Sequence, residues 1–105
     1  MNSHEVGEVV QHGLASYDER FNEVLGPLVA HARLEICRVP AGTPFQIPVR
    51  RSHVSFVRRM TPTRRNDLHL RLQAELEQNF ITVDKFFVPN GYSQPYFVMH
   101  WNAPA

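Results

Sequence analysis

The last quarter of the chain, FITVDKFFVPNGYSQPYFVMHW from Phe80 to Trp101, leaves the backbone little choice. Two apolar, aromatic-rich runs flank a Pro-Asn-Gly turn, and that combination specifies a C-terminal β-hairpin. Just upstream, Thr61-Pro62 reads as a helix N-cap followed by proline at the first helical position. Leu68, Leu72, Leu76 and Phe80 then recur every four residues, which predicts one central helix running to about Asn79. Arg71 and Glu75, four apart on its outer side, support it by about a few tenths of a kcal/mol.

The N-terminal third is less constrained. Ser3 can cap a helix whose apolar positions are Val6, Val9, Val10, Leu14 and Tyr17, continuing through Phe21, Val24 and Leu25. Glu5 and Glu8 suit the dipole of such a helix at its start. SYDE from Ser16 to Glu19 matches a capping box, so either one helix bent near Gly13 or two short helices meeting at Ser16 are expected. Gly26-Pro27 is expected to end the helical segment. Leu28, Ala30, Ala32, Leu34 and Ile36 then alternate with polar residues as in a half-buried strand, although their Ala and Leu content also permits a helix. Phe45, Ile47 and Val49 read as a second strand, with Pro48 pointing to an edge or a bulge. After a turn at RRSH, Val54, Phe56, Arg58 and Met60 read as a third. The expected order is α-β-β-β-α-β-β: an α+β fold in one domain over residues 1–105, with helices on one face of a mostly antiparallel sheet.

At 105 residues the chain can bury a modest core without a staple. Cys37 is the only cysteine, which excludes an intramolecular disulfide and a cysteine-based zinc site and points to a reducing, cytoplasmic setting. MNSHEVGEVVQHG lacks the cationic start and apolar block of a signal peptide, and no run approaches the ~20 apolar residues of a membrane span.

The formal net charge of +1 conceals a segregation. Residues 1–37 set two arginines against six carboxylates, −4; residues 38–74 set eight arginines against Asp67, +7; residues 75–105 set Lys85 against three carboxylates, −2. A layout of this kind creates a local field that steers charged partners. VRRSHVSFVRRMTPTRRN, Val49 to Asn66, holds three Arg-Arg pairs and no acid. The abundance of arginine over lysine follows from a GC-rich codon bias, but codon bias does not explain clustering. Arg50, Arg51, Arg58, Arg59, Arg64 and Arg65, together with Arg71, are therefore the expected contact residues for phosphates or carboxylates. The plainer alternative is a solvated edge strand. Tyr92, in the hairpin turn, joins the set because a turn tip is seldom buried. For Phe45, Phe56, Tyr96 and Trp101, core packing is the expected role.

Glu8 and His12 stand four apart, but no histidine cluster has ligand spacing, so no metal is expected. No glycine-rich phosphate loop or nucleophile motif occurs, and no cofactor is expected. Three functions from different classes follow. The first is a non-enzymatic binding module contacting nucleic-acid phosphates. The second is a regulatory or viral type of adaptor or inhibitor that binds an acidic protein surface, and the charge segregation also favours a homodimer. The third is a small ribonuclease using His53, His69 or His100 with a nearby arginine. Reversal of Arg58 and Arg59 to glutamate is expected to abolish binding and spare the fold.

Overall fold

Phe21, Val24, Leu28 and Ala32 follow one another at spacings of three, four and four, and all four are buried. That spacing draws one stripe along a helix. The computed structural model describes residues 3–104, with side chains from Asp18 onward, and the stripe belongs to a single helix, α1 (Ser3–Glu35). The caps read at Ser3 and Ser16, the face from Val6 to Tyr17 and the Glu8/His12 pair rest on side chains outside the described residues.

Helix α1 passes through Gly26 and Pro27, against the expected break. An interior proline costs about 3 kcal/mol. Beyond it, however, Leu28, Val29 and Ala32 are buried, and full burial of one Leu or Val is worth about 1.5–3 kcal/mol, so packing wins. The strand expected over Leu28–Ile36 is accordingly helix: Ala30 is exposed and Leu34 is 63% exposed, which alternation does not allow.

β1 (Phe45–Pro48) is an edge strand, as Pro48 requires. The chain then makes a 3₁₀ turn over Arg51–His53 and a short helix, α2 (Val54–Arg58), where a third strand was expected. Val57 and Met60 point inward three residues apart while Ser55 and Arg59 face solvent, a helical division rather than an alternating one. α3 (Pro62–Leu76) begins as expected: the Thr61 hydroxyl accepts from the Arg64 N–H at 3.2 Å, with Pro62 at the first turn. Leu68, Leu72 and Leu76 are buried along it, and a 3₁₀ turn extends it to Asn79. Phe80 leaves the stripe; it takes a left-handed φ of 59° and is 53% exposed.

β2 (Ile81–Phe87) and β3 (Tyr96–Trp101) form the expected hairpin. β1 pairs with the other side of β3, so the order is β1-β3-β2 and every pairing is antiparallel. The class is α+β, with element order α-β-α-α-β-β. A bulge between Val83 and Lys85 shifts the register of β2 by one residue. Strict alternation would send Phe87 to the face of Ile81 and Val83. The bulge instead turns Phe86 inward, stacked on Phe97 at 4.0 Å, and puts Lys85 and Phe87 outward.

α1 and α3 cover one face of the sheet. α3 also reaches around β2: Gln73 Oε1 accepts from the Val83 N–H at 2.6 Å, Gln73 Nε2 donates to the Ile81 carbonyl at 3.2 Å, and His69 Nε2 lies 2.9 Å from the Val83 carbonyl. Backbone groups that β3 does not satisfy are thus bonded by side chains. The opposite face carries Gln46, Pro48, Lys85, Phe87, Tyr96, Val98 and His100, all at least partly exposed. Among the described residues no helix is long and apolar enough to cross a membrane.

Candidate nucleic-acid interface

The arginine block does not act as one patch, because each arginine takes its direction from the element that carries it. On α2, successive residues are about 100° apart, so Arg58 turns inward and Arg59 outward. Arg58 Nη2 donates to the Ser93 carbonyl at 2.7 Å, and Arg65 Nη2 donates to the Arg58 carbonyl at 3.1 Å. The Nε atoms of both are buried. These two guanidiniums tie α2 to the hairpin loop and to α3. Reversing Arg58 would remove the first of these ties, so the double glutamate variant puts the fold as well as binding at stake.

Arg64 and Arg71 lie elsewhere, lining a cavity between α1 and α3 with Asp18 and Asp67. Two arginines against two carboxylates leave that cavity near neutral. Arg71 also stands over the Phe21 ring, 5.2 Å from its centroid, a cation–π contact.

Arg50, Arg51 and Arg59 remain, and they surround the short segment from Arg51 to Arg58. Val49 fixes the start of that segment: its N–H donates to the Pro95 carbonyl at 2.8 Å and its own carbonyl accepts from Gln94 Nε2 at 3.0 Å. Three adjoining cavities follow. One of about 260 Å³, between α1 and the end of β1, is lined by Arg50, His31 and His53 over an apolar floor. The next, about 300 Å³, shares Val24 and His53 with it and adds Arg20, Arg59, Ser52 and Ser55. The third, about 580 Å³, shares Ser55 and adds Arg51, Tyr92, Ser93 and Gln94. Among the described residues lining the three, Glu23 is the sole carboxylate, against Arg20, Arg50, Arg51 and Arg59.

This track includes two residues that the sequence reading left out. Arg20 and His31 sit on α1, some thirty and twenty residues away from the arginine block, and only the uninterrupted helix brings them to it. His31 Nε2 lies 3.7 Å from Glu35 one turn on. His53 shares its cavity with His31 and Arg50, whereas His69 is engaged at the Val83 carbonyl and His100 Nδ1 pairs with Asp84 Oδ2 at 2.8 Å on the open face of the sheet. The trio His53, His69 and His100 is thus spread over three surroundings. Among the aromatics, Phe45 is buried, Phe56 partly so in the track, and Trp101 donates from Nε1 to the Val39 carbonyl at 2.6 Å. Tyr96, expected in the core, faces outward, and Tyr92 is fully exposed as expected.

Among the described residues no group of three or more His, Cys, Asp or Glu is placed to hold a metal ion. Comparison with family models, with curated proteins and with solved structures gives no match to this chain.

Proposed function

We propose that the protein is a small, non-enzymatic binding module that contacts nucleic-acid phosphates through Arg20, Arg50, Arg51 and Arg59. One observation carries the reading: four guanidiniums border a track of three adjoining cavities in which, among the described residues, Glu23 is the only carboxylate. Guanidinium offers a planar fork to phosphate oxygens. The Ser52 and Ser55 hydroxyls in the same track add neutral donors of the kind that position a phosphate backbone. An exposed, unpaired Cys37 thiol suits a reducing, cytoplasmic setting.

Fluorescence anisotropy with single-stranded RNA, single-stranded DNA and duplex DNA tests it. Four phosphates neutralised on a single strand give a log K against log salt slope of about −3, or roughly a 50-fold loss between 50 and 200 mM salt. Arg50→Glu and Arg59→Glu should each weaken binding by about tenfold, while Arg64→Glu leaves it close to unchanged. Absence of binding at 50 mM salt refutes the proposal, and tighter binding to polyglutamate than to RNA transfers the track to an acidic protein partner. Bound RNA should stay intact. Cleavage that disappears in both His31→Ala and His53→Ala would replace a binding role with a hydrolytic one.

A further inference from the structure

The open face of the sheet ends in a row of side chains that the core does not use. Pro48, Tyr96 and Phe87 stand opposite one another on β1, β3 and β2. Tyr96 and Phe87 stack at 5.2 Å with 30° between their planes, and Phe87 remains 40% exposed. Beyond the row, the Tyr92 ring is in solvent at the tip of the hairpin loop. That loop is held in place: Ser93 accepts from Arg58, Gln94 donates to Val49, and the Pro95 carbonyl accepts from the Val49 N–H. Three aromatic rings therefore flank the loop end of the hairpin, beside backbone that these bonds hold, with Tyr92 fully exposed and Phe87 and Tyr96 partly so.

We infer that this end, formed by Tyr92, Tyr96 and Phe87, is a stacking platform for unpaired bases, so that the ligand of the arginine track is single-stranded nucleic acid. The inference rests on the phosphate-contact reading above and specifies its ligand. Two features link platform and track. Pro48 closes the aromatic row two residues before Arg50, and Arg51 lines the same cavity as Tyr92. A strand whose phosphates follow Arg50, Arg59 and Arg51 thereby delivers its bases to the rings.

The chemistry around the rings favours a base over a protein side chain. Gln46, Lys85 and His100 surround Val98 on the open face, so the apolar surface is a row at the loop end with polar flanks rather than the contiguous apolar centre of a protein interface. A base needs only one ring face and tolerates polar surroundings, and every base has such a face. Lys85 stands on the same surface against the Asp84 carboxylate that His100 pairs with, so the face is near neutral and the phosphates are left to the arginine track. In a duplex the bases are already stacked and paired, so the platform gains nothing from them.

The test uses the full chain and fluorescein-labelled 20-mers: oligo(U), oligo(dT), a duplex of matched length, and an abasic strand with the same phosphates and no bases. Oligo(U) and oligo(dT) should bind at least tenfold more tightly than the abasic strand and the duplex, and their ranking tells whether the 2′-hydroxyl is read. Tyr92→Ala should weaken oligo(U) by about 5- to 150-fold, the range for loss of one stacked base, and should leave the abasic strand unchanged. Because Tyr92 is fully exposed, a melting temperature equal to that of the parent is expected for this variant; Phe87→Thr, which keeps a strand-forming residue, serves as the second. Equal affinity for abasic and normal strands, with Arg50→Glu still harmful, overturns the platform and leaves the phosphate track standing. No binding of any strand removes both. Tyr92→Ala weakening polyglutamate but not oligo(U) overturns the platform in favour of a protein ligand.

Discussion

Replacing Gly26 by alanine should stabilise the protein once Pro27, whose ring would press on the new Cβ, is alanine as well. Gly26 is exposed in α1, its backbone is helical rather than left-handed as at Gly42 and Gly91, and a Cβ built on it meets nothing within 4 Å apart from its chain neighbours and the adjoining helix backbone. With the proline ring gone no contact is lost or crowded, so the expected further effect over Pro27→Ala alone is the helix-interior difference between glycine and alanine, about 0.8–1.0 kcal/mol. For a domain of this size that is a rise in Tm of roughly 4–8 °C. In urea the midpoint should move up by about 0.3–1 M with an unchanged slope. Circular dichroism at 222 nm measures both. Had the chain turned at Gly26-Pro27 with residue 26 in the left-handed region, alanine there would cost about 1–2 kcal/mol. A Tm below that of Pro27→Ala alone refutes a continuous α1. Pro27→Ala gives an independent check, since restoring the hydrogen bond to the Glu23 carbonyl should add up to about 3 kcal/mol. The functional site depends on the same point, because only an unbroken α1 carries Arg20 to the groove that Arg59 borders.

Arg58→Ala should cost about 1 kcal/mol through the lost bond to Ser93, and amide exchange of residues 92–95 should speed up; unchanged exchange would show that the loop is ordered by other means. Phe80→Gly should raise the urea midpoint by an amount equivalent to about 1 kcal/mol, because φ 59° is strained for phenylalanine and natural for glycine. A drop would mean that the half-buried ring outweighs the backbone. Gln73→Ala should cost about 2 kcal/mol by leaving Val83 N–H and the Ile81 carbonyl without their side-chain partner. Gln73→Glu, which retains only the acceptor, should fall between, and equal stability of all three would refute the role given to Gln73.

Local signals were legible where one residue type permits one geometry. Thr61-Pro62 starts a helix because a hydroxyl and a ring without an N–H fit its first turn, and Pro-Asn-Gly between aromatic runs joins strands. Residues 28–36 were ambiguous for a definite reason: Leu28, Ala32 and Ile36 are four apart and satisfy both an even period and a helical one. Only packing against the rest of the core, which exposes Leu34, separates the two. The five residues of α2 are too few to show a period at all. Among the expected site residues, exposure was readable for Arg50, Arg51, Arg59 and Tyr92, but the inward turn of Arg58 and Arg65 depends on carbonyl partners supplied by tertiary structure. Arg20 and His31 carried no signal because distance along the chain hides their proximity. The outward Tyr96 was missed because alternation has two phases. For Phe87 a bulge switches the phase midway along β2, so simple alternation gives the wrong side.

The hydrogen bonds from Gln73 and His69 to β2 have a meaning for how this molecule meets others. A free strand edge is an invitation to any extended chain, and here both flanks refuse it: β2 is occupied by α3 side chains and distorted by its bulge, while β1 is four residues long and ends in a proline without an N–H. Recognition by strand addition is closed to this fold, and so is the commonest route by which small sheets fuse into aggregates. Copies held close together, at local concentrations far above those in free solution, would find no long open strand edge through which to join.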